Sequence, residues 1–426
     1  MDLLKQNLAG KKLLVLGASV NEITLVERAQ EYGVYVIVTD YNLDYNLSPA
    51  KKLADKAWNI SWSDIDELEK KCREENIDGV IAGYSEFRVE NTIKLCERLS
   101  LPCYCNYEQL EFTRDKRKFK ERCIRNGVPV VKDYKTVDSV DEFPVIVKPV
   151  DRGGSIGISI AANKEELEKA YKYAIDLSVC KDVIIEKYIA DCNKFDAYYE
   201  IVNGEIILAG TDDVINAKNN ALKKVVQSGW ILPSKYQKQF GQNVDESFRK
   251  LIIDLKIKNG YIFFSGFADG KGNFMFFECG FRLCGGHLYN YFPLVGYYDN
   301  LDLLLEYQLT GKVTKQSIKK IDERLKCLTI NLYSKAGTIK ELGGFDEIKK
   351  IEDCKFVLKN ANVGQICKED EAILSKLGMV YFCSNSNEKL LKDTDLLYSY
   401  FYARDSYGND LVYDRIEQSE LKKFLV

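Results

Sequence analysis

The chain has 426 residues, of which 46% are apolar and 29% charged, and a net charge of −3. That composition is ordinary for a globular protein with room for about two to four domains. The charge balance excludes a bulk nucleic-acid or anionic-membrane partner, and no apolar run has the length of a membrane span. Thirteen scattered cysteines with no C-x-x-C pair, and a single histidine, His287, exclude a multi-histidine metal site; they read as reduced thiols of a cytoplasmic protein.

Residues 1–12 carry charges and no apolar core, so they are not read as a secretory signal. The spacing over 11–40 predicts strand, helix, strand, and 65–82 predicts a further helix and strand. This alternation argues for a parallel sheet with helices on both faces. The turn G-A-S-V-N-E after the first strand has one glycine where G-x-G-x-x-G needs three, so nicotinamide binding is not expected. Gly83-Tyr84-Ser85-Glu86 ends a strand where open α/β sheets bind ligands; a polar turn with Glu86 capping a helix explains it equally well.

Residues 107–127 predict one amphipathic basic helix, stopped by Gly127 and Pro129. Its charge is a solvated face, or it places Lys116 over a phosphate. The stretch 145–158, V-I-V-K-P-V-D-R-G-G-S-I-G-I, follows. Pro149 takes the chain out of the sheet. Gly153, Gly154 and Gly157 allow tight turning. With Ser155, Lys148 and Arg152 they form either a glycine-rich hairpin turn or a cradle for phosphate oxygens.

A helix over 164–177, a strand running into Glu186-Lys187-Tyr188-Ile189, and a hairpin through Asn203-Gly204 come next. A helix over 245–258 leads to two strands flanking Asp269-Gly270-Lys271-Gly272. The second reads F-M-F-F-E-C-G-F-R and ends at Glu278 and Arg282. An acid leaving an apolar strand needs a partner, either Arg282 as an ion pair or a hard cation. From 322 on, short strands and turns predict a third, smaller module without a catalytic constellation.

Taken in order, these pieces resemble the ATP-grasp superfamily. They are an α/β domain, a lysine-bearing helix, a strand ending K-P before a glycine loop, a strand ending E-K-Y-I, and a strand ending E-x-x-x-R. The resemblance is to carboxylate–amine ligases and carbamoyl-phosphate-synthase-like proteins of three-domain, biotin-carboxylase-type layout. It implies an α/β and α+β fold: a parallel pre-ATP-grasp domain over 1–108, a two-lobed ATP-grasp domain over 109–315 with its nucleotide lobe at about 115–190, and a β-rich domain over 316–426.

The resemblance also implies residue roles. Lys116 and Lys148 would contact ATP phosphates. Gly153, Gly154, Ser155 and Gly157 would form the closing loop. Glu186, Lys187, Tyr188 and Ile189 would form the hinge that reads adenine, and Asp196 would bind the ribose. Glu278, with Asp269 as the nearest second acid, would bind Mg²⁺ or Mn²⁺. Arg282 would hold the transferred phosphate, and Gly285 and Gly286 would shape the substrate loop. Ser265 and Gly266 stand where a first metal carboxylate is expected, and Gly280 stands where the family has asparagine.

The chemistry implied is ATP-dependent activation of a small carboxylate as an acyl phosphate for attack by an amine, with ADP and phosphate released. A non-catalytic or regulatory ATP-binding protein, or a kinase of bicarbonate or carbamate, is the alternative. Small-molecule substrates and no nucleic acid or membrane are expected; a homodimer is allowed. His287, Arg88 and Tyr289 are candidates for substrate contact, or ordinary packing residues.

Overall fold

A computed structural model describes residues 3–152, 156–189, 192–218, 226–315, 324–368 and 375–425. Its first layer is a parallel sheet in the order Lys56–Trp58, Tyr35–Thr39, Lys12–Leu16, Gly79–Ile81. Leu13–Leu16 and Val36–Val38 are buried throughout, as strands covered by helices on both faces must be. The helix Val20–Glu31 starts on a capping box made by Ser19 and Glu22, which satisfies two orphan N–H groups reciprocally.

The second unit is a small antiparallel sheet in the order Asp133–Tyr134, Val183–Lys187, Val145–Pro149, Ser159–Ala161. The helix Lys164–Leu177 buries Leu167, Ala170 and Ala174 against Val145, Val147 and Ile185. Its apolar residues recur at helical spacing, so one stripe faces the sheet.

The third unit is an eight-stranded antiparallel sheet. It runs Phe274–Gly280, Gly260–Ala268, Asn193–Val202, Glu205–Asn216, Gln227–Leu232, Lys326–Tyr333, Lys376–Ser384, Cys354–Lys359. Phe195, Phe240, Phe248, Phe264, Phe274 and Phe276 fill the space between it and the helices Gln237–Asn243 and Asp245–Asp254. Edge-on and tilted ring pairs of this kind add to plain area burial.

Two helix bounds are corrected. The single helix over 107–127 is two, Tyr107–Arg114 and Lys116–Arg125. Asp115 lies between them in extended conformation, and its carboxylate accepts the N–H groups of Arg117 and Lys118. That local bond starts a new helix at the cost of continuing the old one. The helix expected over 245–258 stops at Asp254, where Lys256 takes a φ of 55°. The C-terminal segment also carries a 14-residue helix, Asn387–Tyr400, and three of its strands extend the eight-stranded sheet. Among the described residues no helix is long and apolar enough to cross a membrane.

Candidate active site

The helix Lys116–Arg125 and the strand Val145–Pro149 bring three lysines to one place. Lys148 and Lys120 both pair with Glu186, the latter at 2.8 Å. Glu186 is 1% exposed. Burial alone would raise its pKa, but the charges of Lys148 and Lys120 and the hydrogen bonds from both hold it below the ordinary carboxylate value. Lys116 lies beside them, its Nζ donating to the carbonyls of Arg152 at 2.7 Å and Val150 at 3.3 Å. Burial pushes its pKa down; the charge of Glu278 acts the other way, and Lys148 adds to the lowering. Lys148 also sits over the Phe277 ring, 5.1 Å from its centroid.

The loop between these lysines is tied at its base. Asp151 accepts hydrogen bonds from the Cys180 N–H at 2.7 Å and the Ser178 hydroxyl at 3.0 Å. Arg152 turns its Nε to the Leu177 carbonyl, 2.8 Å away, so it caps a helix end and leaves the lysines as the nearby cations. Gly157 has a φ of +75°, and a Cβ there would come within 2.7 Å of Pro149 Cγ. Only glycine makes that turn without strain. Gly153, Gly154 and Ser155 lie outside the described residues.

The hinge strand ends in a pinned backbone. The Lys187 N–H donates to the Lys132 carbonyl and the Tyr188 N–H to the Pro144 carbonyl. The Lys187 ammonium faces outward to Glu142 at 2.8 Å. Ile189 follows directly.

On the large sheet, Glu278 is exposed and makes no hydrogen bond or ion pair among the described residues. Its expected alternative partner is engaged elsewhere. Arg282 donates its Nε and Nη2 to Glu86 at 2.7 and 2.6 Å, and its guanidinium lies over the Phe263 ring at 5.4 Å. Burial opposes the charge on Arg282, but Glu86 more than offsets it and raises its pKa. Glu86 begins the helix Glu86–Leu99, so the turn after the fourth parallel strand reaches the end of the large sheet.

Cross-strand register sets four polar residues side by side. Asp212 lies opposite Asp196, Asp196 opposite Ser265, and Ser265 opposite Glu278. Burial raises the pKa of both aspartates; for Asp196 the Glu278 charge adds to this, while Lys194 and a hydrogen bond with Ser265 oppose it. Asp196, expected to bind the ribose, lies on the sheet face beside Ser265. Asp269, expected as the second acid, is placed apart from this row. It sits at the hairpin tip, where Oδ1 accepts the N–H groups of Lys271 and Asn273 and Oδ2 accepts the Asn273 side-chain amide. Its carboxylate is spent on closing that turn.

Around His287 a third cluster forms. Its Nδ1 faces the hydroxyls of Tyr289 and Tyr84, the latter at 3.3 Å, and Nε2 lies 3.3 Å from Asn21 Oδ1. Burial, with the Lys376 charge adding to it, lowers the His287 pKa to about 3. Arg88 pairs with the buried Glu22 at 2.7 Å and lies against Gly17, where a Cβ would meet its guanidinium. The first glycine turn is thus filled by a side chain.

A family model described as D-ala D-ala ligase C-terminus matches residues 121–219. The 2-oxoglutarate carboxylase small subunit of Hydrogenobacter thermophilus is 26% identical over 302 residues, 64% of this chain and 61% of that protein. The chain thus spans about three fifths of the length of this curated relative. The structure of an L-amino acid ligase from Bacillus licheniformis superposes with a TM-score of 0.76 at 18% identity, covering 93% of this chain and 99% of that one. The biotin carboxylase domain dimer of the Hydrogenobacter thermophilus 2-oxoglutarate carboxylase, solved with MgADP, ADP and bicarbonate, gives 0.75 at 20% identity over 94% and 91%.

The fold is that of the ATP-grasp superfamily.

Two departures from the ATP-grasp pattern now have a physical setting. Gly280 pairs with Phe263 across the strands, and a Cβ at 280 would lie 2.5 Å from that ring. Phe263 fills the place of an asparagine and supports Arg282 instead. Ser265 stands between Asp196 and Glu278 in the cross-strand row. Two residues of the site carried no motif signal. Lys120 is legible only as the residue one turn after Lys116, and Asp212 only as the partner of Asp196 across a long hairpin.

Proposed function

We propose that this ATP-grasp chain is an ADP-forming ligase that phosphorylates a small carboxylate on ATP and passes the acyl phosphate to an amine. The observation that carries this reading is the pairing of Lys148 and Lys120 with Glu186 beside Lys116, with Glu278, unpaired among the described residues, close enough to act on Lys116. Phosphoryl transfer asks for positioning and charge neutralisation rather than for a protein nucleophile.

In this reading Lys116 and Lys148 neutralise phosphate oxygens, with Lys120 and Glu186 holding Lys148 in place. The loop through Gly157 covers the phosphates and keeps water from the acyl phosphate. The Lys187 and Tyr188 N–H groups are engaged, so adenine would be read by the Lys187 carbonyl and the Ile189 backbone. Arg282, set by Glu86 and Phe263, holds the transferred phosphoryl group. The exposed and unpaired Glu278 fits a divalent ion, which when bound supplies further neutralisation of phosphate charge. Segments 1–108, 109–315 and 316–426 would act as substrate, nucleotide and closing modules. Relatives solved as dimers favour a homodimer, and thirteen free cysteines favour a reducing cytoplasm.

The test is ADP release with Mg²⁺ and panels of carboxylic and amino acids, each as acid and as amine donor. Acid-dependent ADP, with phosphate, is the expected result. AMP with pyrophosphate would overturn the mechanism. An ATP-binding protein without ligase activity is the second reading, favoured by Ser265 and Gly280. Under it, ATP binds but no pair releases ADP, and Glu278→Ala changes binding alone.

A further inference from the structure

Among the described residues, no three His, Cys, Asp or Glu side chains form a ready metal cage. Mg²⁺ seldom uses one: it is held by one or two carboxylates, with waters and substrate phosphates completing the shell. The question is which second carboxylate accompanies Glu278, since Ser265 occupies the directly opposite position and Asp269 is spent in its own turn.

Register answers it. Residues directly opposite on neighbouring strands point to the same face. Asp196 is opposite Ser265 on one side and Glu278 is opposite Ser265 on the other. The two acids therefore flank a short side chain on one face, with backbones about 10 Å apart, twice the interstrand spacing. Ser265 leaves the space between them open in a way a glutamate there would not. Asp196 is 7% exposed, and its Oδ1 has no hydrogen-bond partner. An unpaired buried carboxylate oxygen is costly, and across Ser265 the next acid on that face is Glu278. Asp212 follows on the next strand, with one oxygen taken by the Tyr198 hydroxyl at 2.5 Å and the other buried without a partner.

We propose that Asp196 replaces the carboxylate missing at 265, so that a nucleotide-bound divalent ion sits between Asp196 and Glu278 above Ser265. The inference rests on the ATP reading given above. The acid has moved one strand over, and the ion bridges the gap left by serine.

The experiment measures Mn²⁺ binding by electron paramagnetic resonance, with and without a non-hydrolysable ATP analogue, and separately measures analogue binding without metal. Asp196→Asn should weaken nucleotide-dependent Mn²⁺ binding at least tenfold and leave metal-free analogue affinity within about twofold. Adding Ser265→Glu to Asp196→Asn should restore Mn²⁺ binding. Unchanged Mn²⁺ affinity in Asp196→Asn, or a folded double variant that restores nothing, overturns the inference while leaving ATP binding intact. Failure of the wild-type chain to bind the analogue overturns the ATP reading itself, and the inference with it. If Asp196→Asn does not fold, Asp196→Ser decides with the same readout: nucleotide-dependent Mn²⁺ binding should weaken at least tenfold, and unchanged binding overturns the assignment.

Discussion

Arg282 pairs with Glu86, 196 residues earlier in the chain, and not with Glu278, four residues before it. The local E-x-x-x-R spacing suggests an ion pair within one strand end. The tertiary structure instead uses the arginine to tie the first sheet to the large one, and leaves Glu278 without an ion-pair partner among the described residues.

Replacing Glu86 by glutamine should therefore disturb both stability and chemistry. Removing one partner of a mostly buried pair leaves the other charge uncompensated. A loss of about 1–3 kcal/mol in urea unfolding is expected, with ADP release reduced about tenfold or more as Arg282 loses its orientation. Glu86→Asp should retain part of both. Full activity in Glu86→Gln would show that Arg282 is positioned by other contacts.

Glu186 between Lys148 and Lys120 makes a second, pH-dependent prediction. Its folded pKa lies below the unfolded value, so its stabilising contribution is present above the unfolded pKa and is lost as pH falls through the folded one. Glu186→Gln should flatten the acid limb of the stability profile and destabilise the protein by roughly 3–5 kcal/mol at neutral pH, since it leaves two ammonium groups without an anion. Lys120→Met should keep the Lys148 pair and weaken ATP binding only severalfold, as read by calorimetry.

His287 should stay neutral throughout the physiological range, because burial and Lys376 lower its pKa to about 3. The unfolded chain takes up this proton near the ordinary histidine value of about 6.5. Below that pH the unfolded state binds more protons, so stability falls as pH drops from there toward 3. His287→Asn should remove part of that slope. A histidine proton resonance titrating near 6.5 in the folded protein would contradict the burial.

Gly280→Asn, which would restore the usual family residue, should fail. Its Cβ would meet the Phe263 ring at 2.5 Å, and overpacking of this kind costs about 1–3 kcal/mol. The double variant Gly280→Asn with Phe263→Ala should recover part of the lost melting temperature but not activity, because Arg282 then loses the ring beneath it.

Much of the fold was legible because it rests on local signals. The strand Val145–Pro149 ends at a proline, the Asn203-Gly204 turn joins two strands, and the helix Lys164–Leu177 follows its apolar spacing. The break at Asp115 was missed because 107–127 keeps helical periodicity on both sides, and only the side-chain cap shows where one helix ends. The helix Asn387–Tyr400 was missed because its buried face is carried by Leu390, Asp393, Thr394 and Leu397, a pattern half polar.

The chemistry of single residues was set by the linear chain: lysines near a glycine loop, an acid and an arginine leaving an apolar strand, and one histidine. Their order along the sequence also carried the superfamily, since each sits at the end of a regular element that local patterning defines. The partnerships were decided only in three dimensions. Glu86 with Arg282, Lys120 with Glu186, and Asp196 beside Ser265 and Glu278 depend on strand register and sheet order. Register is a property of paired strands, whose long connections bring together residues that no local spacing relates.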